Sequence, residues 1–186
     1  ECWKTYTHYY GSSVSWESSA SVVAAASITN SITCTYGGDY THNYNWDYAD
    51  SVKEAYVNDA GYTSRTGYLV WVNLQNQKVY VFTGKYKNWK LEKTFICGSG
   101  SPRTPTPTGV SYKQPKWYFP EYTCGPVTRF YPNTGYAFHS RLYKYDGSFY
   151  DNSIGWPVSE GCIRMLDPDV QYIYDYVPNN STVVIY

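Results

Sequence analysis

A mainly β, sandwich-like domain with one short C-terminal helix, preceded by a small N-terminal appendage, is the architecture this sequence predicts. Three observations carry that reading. Of 186 residues, 24 are Tyr and seven are Trp, against one Met, and aromatic and β-branched residues suit the pleated surface of a sheet better than a helix. From Tyr68 onward, β-rich runs alternate with Gly- and Pro-rich connections, the punctuation of strands and turns. Apolar residues at helical spacing gather into a capped, Pro-terminated run only near the end.

The elements follow in chain order. Residues 1 to about 50 are rich in Ser, Thr, Tyr and Asn, without clean periodicity, and carry no assignable function. DSVKEAYVNDAG, beginning at Asp50, places Val52, Ala55 and Tyr56 at helical spacing and stops at Gly61, which predicts a short connector helix. Residues 1–66 form the appendage on this reading, and 67–186 the main domain. YLVWVNL, QNQ and KVYVFTG read as two strands around a tight turn. WKLEKTFIC, GVSYK, PVTRFY and YAFHS supply further strands. Near the end Asp167 is placed to cap a helix, with Pro168 at its first position and Val170, Ile173, Tyr174 and Val177 on one face. Pro178 stops it, and STVVIY returns as a last strand.

Composition removes several function classes. Fifteen basic residues balance fifteen acidic ones with no basic run, so the footprint of a nucleic-acid-binding surface is missing. No stretch reaches the ~18 to 20 apolar residues of a membrane span, SVVAAASI being the longest candidate. The chain begins at Glu1 without a signal sequence and reads as a piece of a longer protein. Five cysteines, at 2, 34, 97, 124 and 162, allow two disulfides and one thiol, which suits an oxidising exterior. With no CxxC pair and three scattered histidines, the ligand spacing of a zinc site is absent. Neither metal nor cofactor is expected.

The most informative string is SEGCIRM, residues 159–165, between the loop IGWP and the C-terminal helix. A Cys following a Gly can present its sulfur beside backbone N–H groups that hold a developing oxyanion. The thiolate is the reactive form, favoured by a nearby imidazolium or helix start. His139, at the end of YAFHS and 23 positions before Cys162, is the best base. Its order before the Cys excludes papain-like peptidases, and the caspase QAC signature is absent.

Three separated features then resemble one family in the same order. CGSGSPRTPTPTG at 97–109 resembles the Gly-then-TPTG segment of L,D-transpeptidase catalytic domains, FHS at 138–140 resembles their histidine motif, and SEGCIRM resembles their S-x-G-C-x-R nucleophile motif. The resemblance covers residues 68–186 and implies a mainly β catalytic domain that cross-links peptidoglycan. Cys162 would attack the carbonyl of the third stem residue, expel the terminal D-Ala and leave a thioester. An amine of a second stem would then take the acyl group, giving a three-to-three cross-link. Carbapenem-type inhibitors are implied as ligands, and a bacterial extracellular or wall-associated location as the setting.

Roles transfer residue by residue. His139 would take and return the thiol proton. Ser140 would fix the imidazole through its hydroxyl or its carbonyl. The Gly161 and Cys162 N–H groups are the oxyanion candidates. Ser159, Glu160 and Arg164 would bind substrate or orient the loop, Arg164 either structurally or by meeting a substrate carboxylate. Glu160 stands where many family members have His, and a carboxylate there opposes thiolate formation unless it faces away or pairs with Arg164; it could instead greet the acceptor ammonium. RLYKYDGSFYDNSIGWPV lengthens the His-to-Cys interval and is expected as a lid or a solvated surface hairpin. Cys97 and Cys124 flank the TPTG segment and could be bridged, leaving Cys2 with Cys34, although four cysteines allow three pairings. Three other readings compete: a sortase-like transpeptidase, whose TLxTC-type strand is missing here; a carboxypeptidase or endopeptidase on the same stems; and a wall-binding module whose thiol has lost its base.

Overall fold

In a computed structural model the chain is described for residues 47–117 and 123–186. The first 46 residues, including His8, His42, Cys2 and Cys34, lie outside the described residues, and so does the expected role of that segment.

The connector helix is α1 (Asp50–Asp59), followed by Gly61 at φ +68°, a left-handed stop that suits glycine. Its inward face differs from the expected one. Lys53 and Val57 are buried beside partly buried Val52 and Tyr56, whereas Ala55 is exposed. The Lys53 ammonium enters the interior because Asp47, at 2.7 Å, and Asp50, at 3.0 Å, neutralise it, with the Tyr80 ring 4.9 Å below.

Among the described residues, nine strands form one curled sheet. In chain order they are β1 (Tyr68–Asn73), β2 (Lys78–Lys85), β3 (Asn88–Gly98), β4 (Gly109–Tyr112), β5 (Lys116–Trp117), β6 (Val127–Arg129), β7 (Ala137–His139), β10 (Ile163–Met165) and β11 (Thr182–Ile185). Their spatial order is β4-β11-β1-β2-β3-β10-β7-β6-β5. A separate two-stranded hairpin, β8 (Leu142–Tyr143) and β9 (Phe149–Asp151), comes from the long interval between the histidine and nucleophile motifs.

The run YLVWVN explains why the sheet is a middle layer. Side chains alternate along a strand, so Val70 and Val72 enter one core while Leu69 and Trp71 enter the other. The first core is covered by α2 (Asp167–Tyr176) through Val170, Ile173 and Val177. The second is covered by α1 through Val57. A strand apolar on both faces is what burial on both sides demands.

The start of α2 corrects one expectation. Leu166 is the N-cap, no side chain caps the helix, and Asp167 lies inside the first turn. Its carboxylate instead accepts from Arg141 Nε at 3.1 Å and from the Tyr143 hydroxyl, which ties the β8–β9 hairpin to the helix. The expected Cys97–Cys124 bridge is also corrected. Cys97, Cys124 and Cys162 are all free thiols, and Cys97 is fully buried in the first core as a small apolar side chain.

Candidate active site

The sheet register brings the two central motifs together. β7 and β10 run parallel, with Ile163 opposite Phe138 and Arg164 opposite His139. Cys162, one residue before β10, therefore stands beside Ala137, whose N–H is directed at its sulfur. His139 follows Ala137 by two residues and so projects from the same face of β7. Cys162 and His139 line one cleft of about 550 Å³, within the range of small-molecule sites. Gly135, Tyr136, Ser159 and Glu160 line it too, and β8–β9 adds Leu142, Tyr150 and Asp151.

The imidazole is held through a backbone oxygen. His139 Nδ1 lies 2.5 Å from the Ser140 carbonyl. A carbonyl can only accept, so Nδ1 carries the proton and the lone pair of the neutral ring sits on Nε2. The Ser140 hydroxyl is engaged elsewhere: it accepts from Gly125 N–H at 2.9 Å and donates to the Arg141 carbonyl at 2.9 Å. Of the two ways Ser140 could orient the ring, the carbonyl does it.

Electrostatically the pair is neutral. Burial depresses the His139 pKa to about 4, against the raising effect of the Ser140 carbonyl and with a further lowering by Arg164. Burial likewise pushes the Cys162 thiol up to about 11. The Ala137 N–H and the Arg164 charge favour the thiolate, while Glu160 opposes it least of the named causes. The Cys162 thiol donates to the Gly135 carbonyl at 3.4 Å, as a protonated sulfur can.

Arg164 does not pair with Glu160. The Glu160 side chain is exposed, and the buried Arg164 guanidinium meets Asp151 Oδ2 at 2.7 Å through Nη1, which also donates to Ser153 Oγ at 2.9 Å. Asp151 and Ser153 were not found in the sequence, because no spacing rule links a hairpin carboxylate to an Arg 13 residues later. Tyr136 was missed for a similar reason: only its place just before the AFH strand hinted at it. The interval expected as a lid or a surface hairpin is a hairpin whose second strand walls the cleft.

The loop that carries Cys162 is braced by the Gly-then-TPTG segment. Ser159 N–H donates to the Ser99 carbonyl at 3.0 Å, and the Ser159 carbonyl accepts from Ser101 N–H at 2.8 Å and Thr104 Oγ1 at 3.0 Å. Ser159 Oγ donates to the Cys162 carbonyl at 2.7 Å and accepts from Gly161 N–H at 3.1 Å. Gly161 has φ +109°, and a Cβ there would stand 2.5 Å from Tyr136 Cε1. Gly100 packs so closely that a Cβ would meet the Thr104 carbonyl at 2.3 Å and Gly161 Cα at 2.8 Å. Glycine is required at both positions by close approach.

Against this geometry, residues 67–185 match the YkuD family, the L,D-transpeptidase catalytic domain. The chain belongs to that family. YciB of Bacillus subtilis (strain 168), a protein named for the L,D-transpeptidases, is 32% identical over 130 residues, covering 62% of this chain and 65% of YciB. A crystal structure of a fused Zn-dependent amidase/peptidase/peptidoglycan-binding domain-containing protein from Clostridium acetobutylicum ATCC 824 superposes with a TM-score of 0.62 at 33% identity, covering 74% of this chain and 59% of that one. An L,D-transpeptidase from Mycobacterium tuberculosis H37Rv shares the fold alone, with a TM-score of 0.51 at 16% identity over 64% of this chain and 57% of its own. The chain thus spans under two thirds of the length of each of these relatives.

Proposed function

We propose that the protein is a cysteine L,D-transpeptidase that forms three-to-three peptidoglycan cross-links outside the bacterial cell. The observation that carries this is Cys162 and His139 lining one cleft, with His139 Nδ1 on the Ser140 carbonyl so that Nε2 holds the lone pair.

As the sulfur attacks the carbonyl of the third stem residue, His139 Nε2 takes the thiol proton. Because both partners are neutral at rest, this is general-base catalysis during attack rather than use of a standing ion pair. The Cys162 N–H is the primary donor to the tetrahedral oxyanion, since Gly161 N–H already serves the Ser159 hydroxyl. Collapse breaks the peptide bond to D-Ala, whose nitrogen receives the proton from His139, and leaves a thioester on Cys162. An acceptor amine attacks the thioester, its surplus proton passes to His139, and the sulfur leaves to recover that proton. The product amide is the cross-link. Exposed Glu160 at the cleft wall offers the incoming ammonium a counter-charge.

Intact-mass measurement after incubation with a tetrapeptide muropeptide tests the reading. Wild-type protein gains the mass of the stem lacking D-Ala, and Cys162→Ala gains nothing. Product masses then separate dimer formation from hydrolysis. A carbapenem should add its mass to the same cysteine.

A further inference from the structure

Exposed tyrosines stand at the wall of the cleft and at the tip of the hairpin that supplies that wall. Tyr150, on β9, lines the cleft and is 62% exposed, and Val158 beside the nucleophile loop lines it at 42% exposure. Tyr145, at the tip of the β8–β9 hairpin, is 90% exposed. Phe149 belongs to the other face of the hairpin, where its ring meets Tyr143 at 5.0 Å and Arg141 at 4.6 Å. Tyr150 is the extra residue of a register shift between Phe149, opposite Tyr143, and Asp151, opposite Leu142, so Tyr150 and Asp151 both line the cleft while Phe149 secures the hairpin. The hairpin is further held by the Asp151–Arg164 and Arg141–Asp167 pairs, so its exposed rings are presented on a supported element.

We propose that Tyr145 and Tyr150 form a saccharide-binding platform that receives the amino-sugar strand bearing the donor stem; this rests on the peptidoglycan reading above. Two observations select that occupant. The rim is continuous with the wall of the nucleophile's cleft through Tyr150, and a stem attached to Cys162 by its third residue must leave the cleft within about 10 Å, the reach of three extended residues. A cleft of about 550 Å³ is filled by a ligand of drug size, which puts the sugar on the rim. Tyr suits a sugar because it offers an apolar face to ring C–H groups and a hydroxyl to the polar edge. The charges that hold the hairpin are matched, Asp151 with Arg164 and Arg141 with Asp167.

The test separates this platform from the chemistry. Cys162→Ala protein is titrated with the β-1,4-linked tetramer of N-acetylglucosamine, following amide and aromatic NMR signals. Shifts centred on Tyr145, Tyr150 and Val158, weakened about tenfold in affinity by Tyr145→Ala or Tyr150→Ala, support the platform, that factor being the scale of one aromatic contact. Tyr86→Ala, an exposed tyrosine on the β2–β3 turn, should bind as the parent does. Absence of shifts, or shifts centred elsewhere, overturns the platform whatever the acylation experiment gives. In wild-type protein, acylation by a disaccharide tetrapeptide should exceed that by the free tetrapeptide, and both Tyr variants should erase the difference. Equal use of the two donors by wild-type protein would also overturn it, while leaving the Cys162 mechanism standing.

Discussion

Arg164 Nη1 stands 2.7 Å from Asp151 Oδ2, joining the strand after Cys162 to the hairpin that walls the cleft. The guanidinium is buried, and its charge favours the Cys162 thiolate while disfavouring the His139 imidazolium. Removing its partner leaves a buried cation uncompensated. Breaking a fully buried pair costs about 3–5 kcal/mol. Asp151 retains 34% exposure, so Asp151→Ala should cost about 2–3 kcal/mol after screening by solvent. Urea unfolding of Asp151→Ala beside Asp151→Asn measures this. Equal stability of both with wild type would sink the claim that this pair holds the hairpin.

The thiol pKa of about 11 makes a prediction about reactivity. At pH 7 the thiolate fraction of the resting protein is on the order of one part in 10⁴. Alkylation of Cys162 by iodoacetamide should therefore keep rising through pH 9 and 10. A plateau reached near pH 7 would show a standing thiolate–imidazolium pair instead.

Acid stability follows from His139. Its folded pKa, about 4, lies below the ordinary value of about 6.5. Between these values the unfolded chain binds the proton and the folded one does not, so stability falls as pH drops through that window. The difference of about 2.5 pH units corresponds to about 3 kcal/mol. The carboxyls of Asp151 and Asp167 are also held below their usual value, but their contribution is lost only at lower pH. His139→Gln should flatten the loss between pH 6.5 and 4 in denaturant melts and leave the lower-pH loss intact.

Two glycines should respond differently to a methyl group. Gly161→Ala meets the edge of the Tyr136 ring at 2.5 Å and must hold φ +109°, so acylation should slow about 100-fold as the sulfur is displaced. Gly100→Ala meets backbone atoms of Thr104 and Thr106 at 2.3 and 2.5 Å. Those atoms cannot turn away, and its melting temperature should fall more than that of Gly161→Ala. Thermal melts and acylation rates measured on both proteins check the contrast.

Where the sequence was informative, a local rule was enough. The β-rich runs YLVWVNL and KVYVFTG on either side of QNQ predict the β1–β2 hairpin, and Gly61 and Pro178 mark the two helix ends. The motifs at 138–140 and 159–165 led to the residues that share the cleft. Local rules failed where partners are distant in the chain. Asp167 has the composition of a helix cap, yet Arg141 and Tyr143 compete for its carboxylate and win it. Cys97 and Cys124 could pair by arithmetic, but Cys97 is enclosed in the first core. Asp151 is one acidic residue among many until the hairpin brings it to Arg164. β10 has three residues, too short for any periodicity.

The strand order has a consequence for biosynthesis. β10 lies between β3 and β7, and β11 lies between β1 and β4, so strands made later are wedged between earlier ones. A nascent chain ending before Ile163 has three unjoined pieces, β1–β2–β3, β5–β6–β7 and β4 alone, with unfilled edges, and pairing across such a span is slow. His139 gains its sulfur neighbour only once β10 has been made and seated beside β7, so the cleft is among the last features of the sheet to form.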